Sequence, residues 1–383
     1  MFNSSRIEIS KQAFKHNLSF LKELLTPGTE ISLVAKGNAY GHGIEQMVGL
    51  AEECDVRHFS VYSAEEAQRV YQAAQKRPTI LIMGYLSSTA FAWAVENEIE
   101  FFVFEMERLK KALEAAKKVG KKARVHLELE TGMHRTGFEV AELPEVVELI
   151  KNNEEHFQVA GICTHFAGAE SISNYVRIKK QKRAFKKYVK YLDQLGLAYD
   201  KVHACCSAAS IRHPDMHYDM VRIGIMHYGF WPSEEIFIEY SNQHKTEGKD
   251  PLKRLITWKS EIMSLKFVEK GKFIGYGTSY LAHEDTTIAL VPVGYGYGFS
   301  RTLSNTGRVL IHGVRAGVVG IVNMNCLAVN ITNFQDVKIG DEVILIGGEG
   351  DNQISVSSFG RFSEQLNYEL LTRLPQDIPR III

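Results

Sequence analysis

Short apolar runs of strand length recur along the first two thirds of the chain, bounded for the most part by glycine, proline or the start of a helical pattern. They predict strands at 32–36, 58–63, 78–84, 100–104, 124–130, 159–165, 202–207 and 220–228. Between them the apolar period lengthens to that of an amphipathic helix, as in 64–76 and 106–119. Ser63 and Glu66 have the spacing of a capping box opening the first of these helices. Strand alternating with helix implies parallel βαβ units. Eight strands within about 250 residues match a (β/α)8 TIM barrel in count and size. Strand counting by itself leaves a doubly wound sheet open.

The texture changes near Tyr240. The stretch 240–254 is polar, with Lys, Glu, Gly and Pro, and reads as a linker. Beyond it come Val-, Ile- and Gly-rich runs at 287–293, 308–311, 317–323, 328–332 and 342–346, punctuated by Gly340-Asp341 and Gly347-Gly348. The fold expected is therefore α/β: an N-terminal barrel over 11–240 and a C-terminal, mainly β domain over 241–383, with residues 1–10 able to pack with the latter. Two domains also suit 383 residues, since single cores stop growing near 250–300 residues.

Composition narrows the class of partner. Hydrophobic residues make up 45% and charged residues 23%, as in an ordinary soluble protein. A formal net charge of zero gives no pull toward nucleic acid or an anionic membrane. No apolar run approaches the roughly 20 residues of a membrane span, and the N-terminus lacks the blocks of a signal peptide. Cys54, Cys163, Cys205, Cys206 and Cys326 are scattered without a CxxC pair, so neither a metal site nor a disulfide framework is expected. A reducing cytoplasm fits this cysteine usage.

The first chemical signal is Val34-Ala35-Lys36-Gly37-Asn38-Ala39-Tyr40-Gly41-His42-Gly43. A lysine there ends an apolar strand before a Gly- and Asn-rich loop. In a barrel that is the C-terminal mouth, where active sites sit. A lysine desolvated at such a place loses its proton and forms Schiff bases. Taken alone, Lys36 is equally well a solvated lysine at a strand end.

Further blocks follow in order: Glu130-Thr131-Gly132-Met133-His134-Arg135-Thr136-Gly137, Thr164-His165-Phe166, Ser207-Ala208-Ala209, Met220 to Ile225, Tyr276-Gly277, Val291 to Tyr295, Met324, and Ile378-Pro379-Arg380. Together with the lysine motif they resemble the alanine racemase family over nearly the whole chain. The resemblance implies an isomerase that interconverts L-alanine and D-alanine with pyridoxal 5'-phosphate by a two-base mechanism. Lys36 would hold the cofactor and act as one base, and Tyr276 would be the other. Arg222 would face the pyridine nitrogen, with His165 and Arg222 linking Tyr276 to the ring. Tyr40, Ser207, Gly224 and Ile225 would hold the phosphate. Arg135 would contact the ring oxygen and the substrate carboxylate, and Met324 and Tyr295 would bind substrate.

Each of these residues has a plainer reading by itself. Tyr276 reads as a packed aromatic in a hairpin, Arg222 as an ion-pairing arginine, and Ser207 as a helix N-cap. Arginine carries a permanent charge and no acceptor, so at a pyridine nitrogen it only donates, and the ring stays a weaker electron sink. Glu128 stands where many relatives carry a carbamylated lysine, and its charge is expected to orient Arg135. Asn323, Asn325, Tyr297, Gln376 and Cys206 also depart from the family pattern.

The resemblance further implies a homodimer in which Tyr276 and Met324 serve the Lys36 of the other copy. It implies a place in D-alanine supply for the cell wall. A racemase of serine or another small polar amino acid remains an alternative. A pyridoxal-phosphate decarboxylase fits less well, since its ring nitrogen usually meets a carboxylate. A non-catalytic carrier of the cofactor would resemble the barrel alone.

Overall fold

The computed structural model describes residues 3–363 and 367–383, and their contacts divide the chain into two units. One comprises Gln12–Lys36 and Met47–Arg254, and the other comprises the residues up to Lys11, Gly37–Gln46 and Leu255–Ile383.

A first strand, β1 (Ser5–Ile9), belongs to the second of these units. The first unit carries β2 (Glu30–Val34), β3 (His58–Val61), β4 (Thr79–Ile82), β5 (Glu100–Val103), β6 (Ala123–Glu128), β7 (Phe157–Cys163), β8 (Val202–Cys206) and β9 (Met220–Ile223). All pair in parallel, and β9 returns to β2 through Glu30↔Met220 to Leu33↔Ile223, closing the barrel. A doubly wound sheet has two free edges, so closure excludes it. The strands read as near-continuous apolar runs because helices cover the outside while side chains fill the inside.

The helices start and stop where local chemistry requires. Helix Ala64–Ala73 begins at Ser63, whose Oγ accepts the Glu66 N–H at 3.3 Å. The Glu66 carboxylate accepts the Tyr62 N–H at 2.9 Å, so the return bond falls one residue upstream of the capping-box position. Helix Met106–Val119 stops at Gly120, whose φ of 74° suits the left-handed turn after a helix.

Two expectations need correction. The predicted strand 220–228 ends at Ile223, because the Gly224 N–H bonds Ser207 Oγ at 3.0 Å and the next residues form tight turns. The predicted linker at 240–254 begins inside helix Glu234–His244, which Ser233 caps by accepting the Ile236 N–H. Tyr240 ties this helix down with its ring 5.4 Å from Phe20, edge-on.

Among the described residues, the second unit carries one sheet of ten strands. To β1 it adds β10 (Ile256–Glu261), β11 (Ser264–Val268), β12 (Thr286–Val291), β13 (Arg308–Ile311), β14 (Val314–Val319), β15 (Leu327–Asn330), β16 (Glu342–Glu349), β17 (Asn352–Ile354) and β18 (Arg380–Ile382). The N-terminal strand is integral to it: β1 runs antiparallel to β10 and parallel to β18. Trp258 on β10 is fully buried, and Phe299 packs between it and Phe359.

The segment after Lys36 also belongs to this unit. Gly37, Asn38, Ala39 and Tyr40 make one left-handed turn, with φ of 62°, 53°, 54° and 51°. A left-handed turn costs L-residues about 1–2 kcal/mol each. At Gly41, with φ of 80°, a side chain would run into the Leu371 carbonyl, so only glycine fits.

Candidate active site

The strand ends carry the candidate residues. Lys36 comes two residues after β2, past Ala35, whose N–H bonds the Ser60 carbonyl at 2.8 Å. Glu128 ends β6, His165 follows β7, Ser207 follows β8, Arg222 lies near the end of β9, and Gly224 follows it. These are the C-terminal ends of the strands, the catalytic rim of a barrel.

Charge and burial act together at Lys36. Lys36 is exposed in the single chain, yet the protein around the amine desolvates it enough to lower its pKa, and the charge of Arg135 lowers it further. Arg222 adds to this, while Cys206 and Glu66 oppose it. The same cations act on His165, whose pKa falls to about 3, first through desolvation and then through Arg222, Arg135 and Lys36. That ring is neutral at any physiological pH.

Arg222 is buried. Its Nη1 donates to His203 Nδ1, and its Nη2 donates to the carbonyls of Thr164 at 2.9 Å and Ala204 at 3.4 Å. Its Nε–H meets no acceptor among the described residues. The Phe102 ring lies 5.8 Å from the guanidinium carbon.

Ser207 is the first residue of helix Ser207–Arg212, and Cys206 occupies the N-cap without a side-chain cap bond. Ser207 Oγ accepts the Gly224 N–H, so two of the expected phosphate ligands already touch each other. Ile225 is buried beside them in sequence.

Arg135 sits on a loop held by Glu130, whose carboxylate accepts the N–H groups of Gly132, Met133 at 2.8 Å and His134 at 2.7 Å. Arg135 makes no ion pair with Glu128 among the described residues. Glu128 instead accepts the Thr136 hydroxyl at 2.7 Å, and desolvation raises its pKa. The charge of Arg135 opposes that rise, so the two groups still act on each other without a direct ion pair.

The remaining candidates lie in the β-rich unit. Tyr40 is buried with its ring 6.0 Å from Tyr368. The N–H of Tyr295 bonds the Asn323 carbonyl and that of Gly296 bonds the Met324 carbonyl, both at 2.9 Å, which brings Tyr295 and Met324 into one turn. Tyr276 stands between two positive-φ glycines, Gly275 and Gly277, and is 71% exposed. Met324 is 56% exposed.

One feature escapes the sequence reading. A hydrogen-bonded line runs inward from Arg222 through His203 and His126 to Glu100. Its signal was present in the sequence as polar residues within apolar strand runs, at Glu100, His126 and His203.

Comparisons with known proteins agree along the chain's length. The sequence model described as alanine racemase, N-terminal domain, matches residues 9–232, and that of the C-terminal domain matches residues 255–382. An alanine racemase of Leptospira interrogans is 33% identical, with 99% of this chain and 96% of that protein aligned. One from Desulforamulus reducens is 35% identical over 98% of each. The alanine racemase structure of Clostridium difficile 630 superposes with a TM-score of 0.90 at 33% identity, covering 100% of this chain and 96% of that one. That of Bartonella henselae, with covalently bound pyridoxal phosphate, gives 0.83 at 25% identity over 100% of both chains.

Proposed function

The chain belongs to the alanine racemase family, and from this we infer that it interconverts L-alanine and D-alanine with pyridoxal phosphate, using Lys36 and Tyr276 as its two proton-transfer groups. The observation that carries this reading is Lys36 at the barrel mouth, with its amine shifted toward the neutral form beside Arg135 and Arg222.

The residues at the rim suit the cofactor. The cations Arg135 and Arg222 favour a phosphorylated, anionic ligand, and a lysine with a loosened proton is the amine that condenses with an aldehyde. Lys36 would hold the aldehyde carbon. Arg222 would direct its remaining Nε–H to the ring nitrogen, and Arg135 would meet the ring oxygen and the substrate carboxylate. Ser207, Tyr40, Gly224 and Ile225 would hold the phosphate. Because the Gly224 N–H has Ser207 Oγ as acceptor, the Ser207 hydroxyl hydrogen and the Ile225 N–H are the better placed donors.

Bound there, pyridoxal phosphate supplies an electron-withdrawing ring that acidifies the hydrogen on the substrate's α-carbon. Lys36 removes or returns that proton on one face, and Tyr276 does so on the other, so the substrate inverts without changing its seat. Arg222 donates to the ring nitrogen without protonating it, which limits the ring's pull to what brief, reversible proton exchange needs. Met324 and Tyr295 bind the substrate.

A phenol in water is a weak base at neutral pH, and Tyr276 is largely open to solvent in the single chain. A second copy that covers it and brings cations to it resolves this, so Tyr276 and Met324 of one copy serve the Lys36 of the other. Matches to both domain models favour an enzyme over a carrier built on the barrel alone. The five cysteines are free thiols, which suits the cytoplasm.

Circular dichroism tests the reading. With cofactor added, the signal of L-alanine should decay to zero at the racemic mixture, faster than that of L-serine. Lys36→Ala and Tyr276→Phe should each be inactive, and mixed dimers of the two should regain activity. Stable L-alanine, or silent mixed dimers after verified subunit exchange, would count against it.

A further inference from the structure

The proton exchange just described uses Arg222 but none of the polar groups that lie behind it inside the barrel. Arg222 on β9, His203 on β8, His126 on β6 and Glu100 on β5 are 4%, 0%, 0% and 3% exposed. They are joined end to end. Arg222 Nη1 meets His203 Nδ1, His203 Nε2 lies 2.8 Å from His126 Nδ1, and His126 Nε2 lies 2.8 Å from Glu100 Oε2.

The line has only one consistent proton arrangement. Arginine donates and never accepts. His203 Nδ1 therefore accepts, and the ring carries its proton on Nε2. That proton goes to His126 Nδ1, so His126 carries its own on Nε2 and donates it to the Glu100 carboxylate. A second proton on either ring would set N–H against N–H. Both rings stay neutral, and desolvation lowers both pKa values in the same sense.

The surroundings are shaped for this line. A side chain at Gly161 on β7 would collide with the His126 ring. Phe102 walls both imidazoles, at 6.1 and 6.0 Å. Strand pairing slips in register beside His126 and again between His203 and Cys206. Arg124 Nη2 bonds the other Glu100 oxygen at 2.5 Å. His58 Nε2 lies 3.6 Å from Glu100 Oε2, while its Nδ1 engages Ser32 Oγ at 2.8 Å. Lys201 adds positive charge near His203, and Glu128 and Cys163 face Arg222.

We propose that Glu100 is a positioning residue for Arg222, acting through His126 and His203 as a one-way line of hydrogen bonds. The line ends in a cation at one side and an anion at the other, so neither ring can flip its tautomer without breaking two bonds. It offsets the buried guanidinium charge, which would be costly alone, and it holds the guanidinium plane so that Nε–H keeps one direction. The inference rests on the reading of Arg222 as the residue facing the cofactor ring.

Neutron diffraction of the deuterated, cofactor-loaded protein reads the line directly. Deuterons are expected on Nε2 of His203 and of His126 and on neither Nδ1. A deuteron on either Nδ1 overturns the proposal, and this result does not depend on any variant folding. Glu100→Gln keeps an acceptor for His126 and removes the charge. Its kcat for alanine should fall about 10- to 100-fold, the range seen when outer partners of a bound group are lost, with KM unchanged. A Glu100→Gln protein that is merely less heat-stable, with the parent's kcat, overturns the positioning role. An unchanged cofactor absorption spectrum in Arg222→Lys would instead overturn the reading of Arg222, and this inference with it.

Discussion

Histidine shows how burial sets chemistry one residue at a time. His42 and His227 are both fully buried, and desolvation brings each pKa down to about 4. In an unfolded chain the same rings take up a proton near pH 6.5. The folded state therefore has this stability in full above pH 6.5 and loses it as pH falls toward 4. Each ring withdraws about 1.4 kcal/mol per pH unit over that window. Urea midpoints recorded between pH 8 and 4 should hold steady above about 6.5 and drop steeply below it. A flat profile down to pH 4 would contradict the burial of these rings. At this scale the sequence was a partial guide. The strand-end lysine and its motif were legible because active-site residues sit where apolar runs stop. The inner histidines were not, since a histidine inside an apolar run looks the same whether it faces another polar group or packs alone.

Elements were most legible where they obey local rules. The barrel strands and helix Met106–Val119 follow from apolar period and from Gly120, and their ends fall within a few residues of expectation except in β9. That strand ran long in prediction because Gly224 to Tyr228 is as apolar as a strand, and what ends it is the bond that the Gly224 N–H donates to Ser207, seventeen residues upstream. The strands β1 and β18 are held by pairing across the whole length of the chain, which no local window contains. The left-handed turn after Lys36 is a similar case, with Gly37, Gly41 and Gly43 as its only trace. It yields two contrasting substitutions. Gly41→Ala forces a side chain against the Leu371 carbonyl and should cost about 3 kcal/mol in urea unfolding. Ala39→Gly relieves about 1–2 kcal/mol of left-handed strain but gives up a buried methyl worth about 0.8 kcal/mol, so its effect should stay within about 1 kcal/mol. Equal stability of the two variants would show that the turn is not held by that close approach.

Over the whole molecule, the chemistry divides between the two units. The barrel holds Lys36, Arg135 and Arg222 with the neutral His165, while the β-rich unit holds Tyr276, Tyr295 and Met324, all substantially exposed. The family match spans both units. All of it depends on Lys36 being the residue that bonds the cofactor. Borohydride reduction of the cofactor-loaded protein, followed by peptide mass spectrometry, tests this most directly. The account predicts a pyridoxyl adduct on the peptide bearing Lys36 and none in Lys36→Ala; an adduct on a different lysine, or no adduct at all, would contradict it.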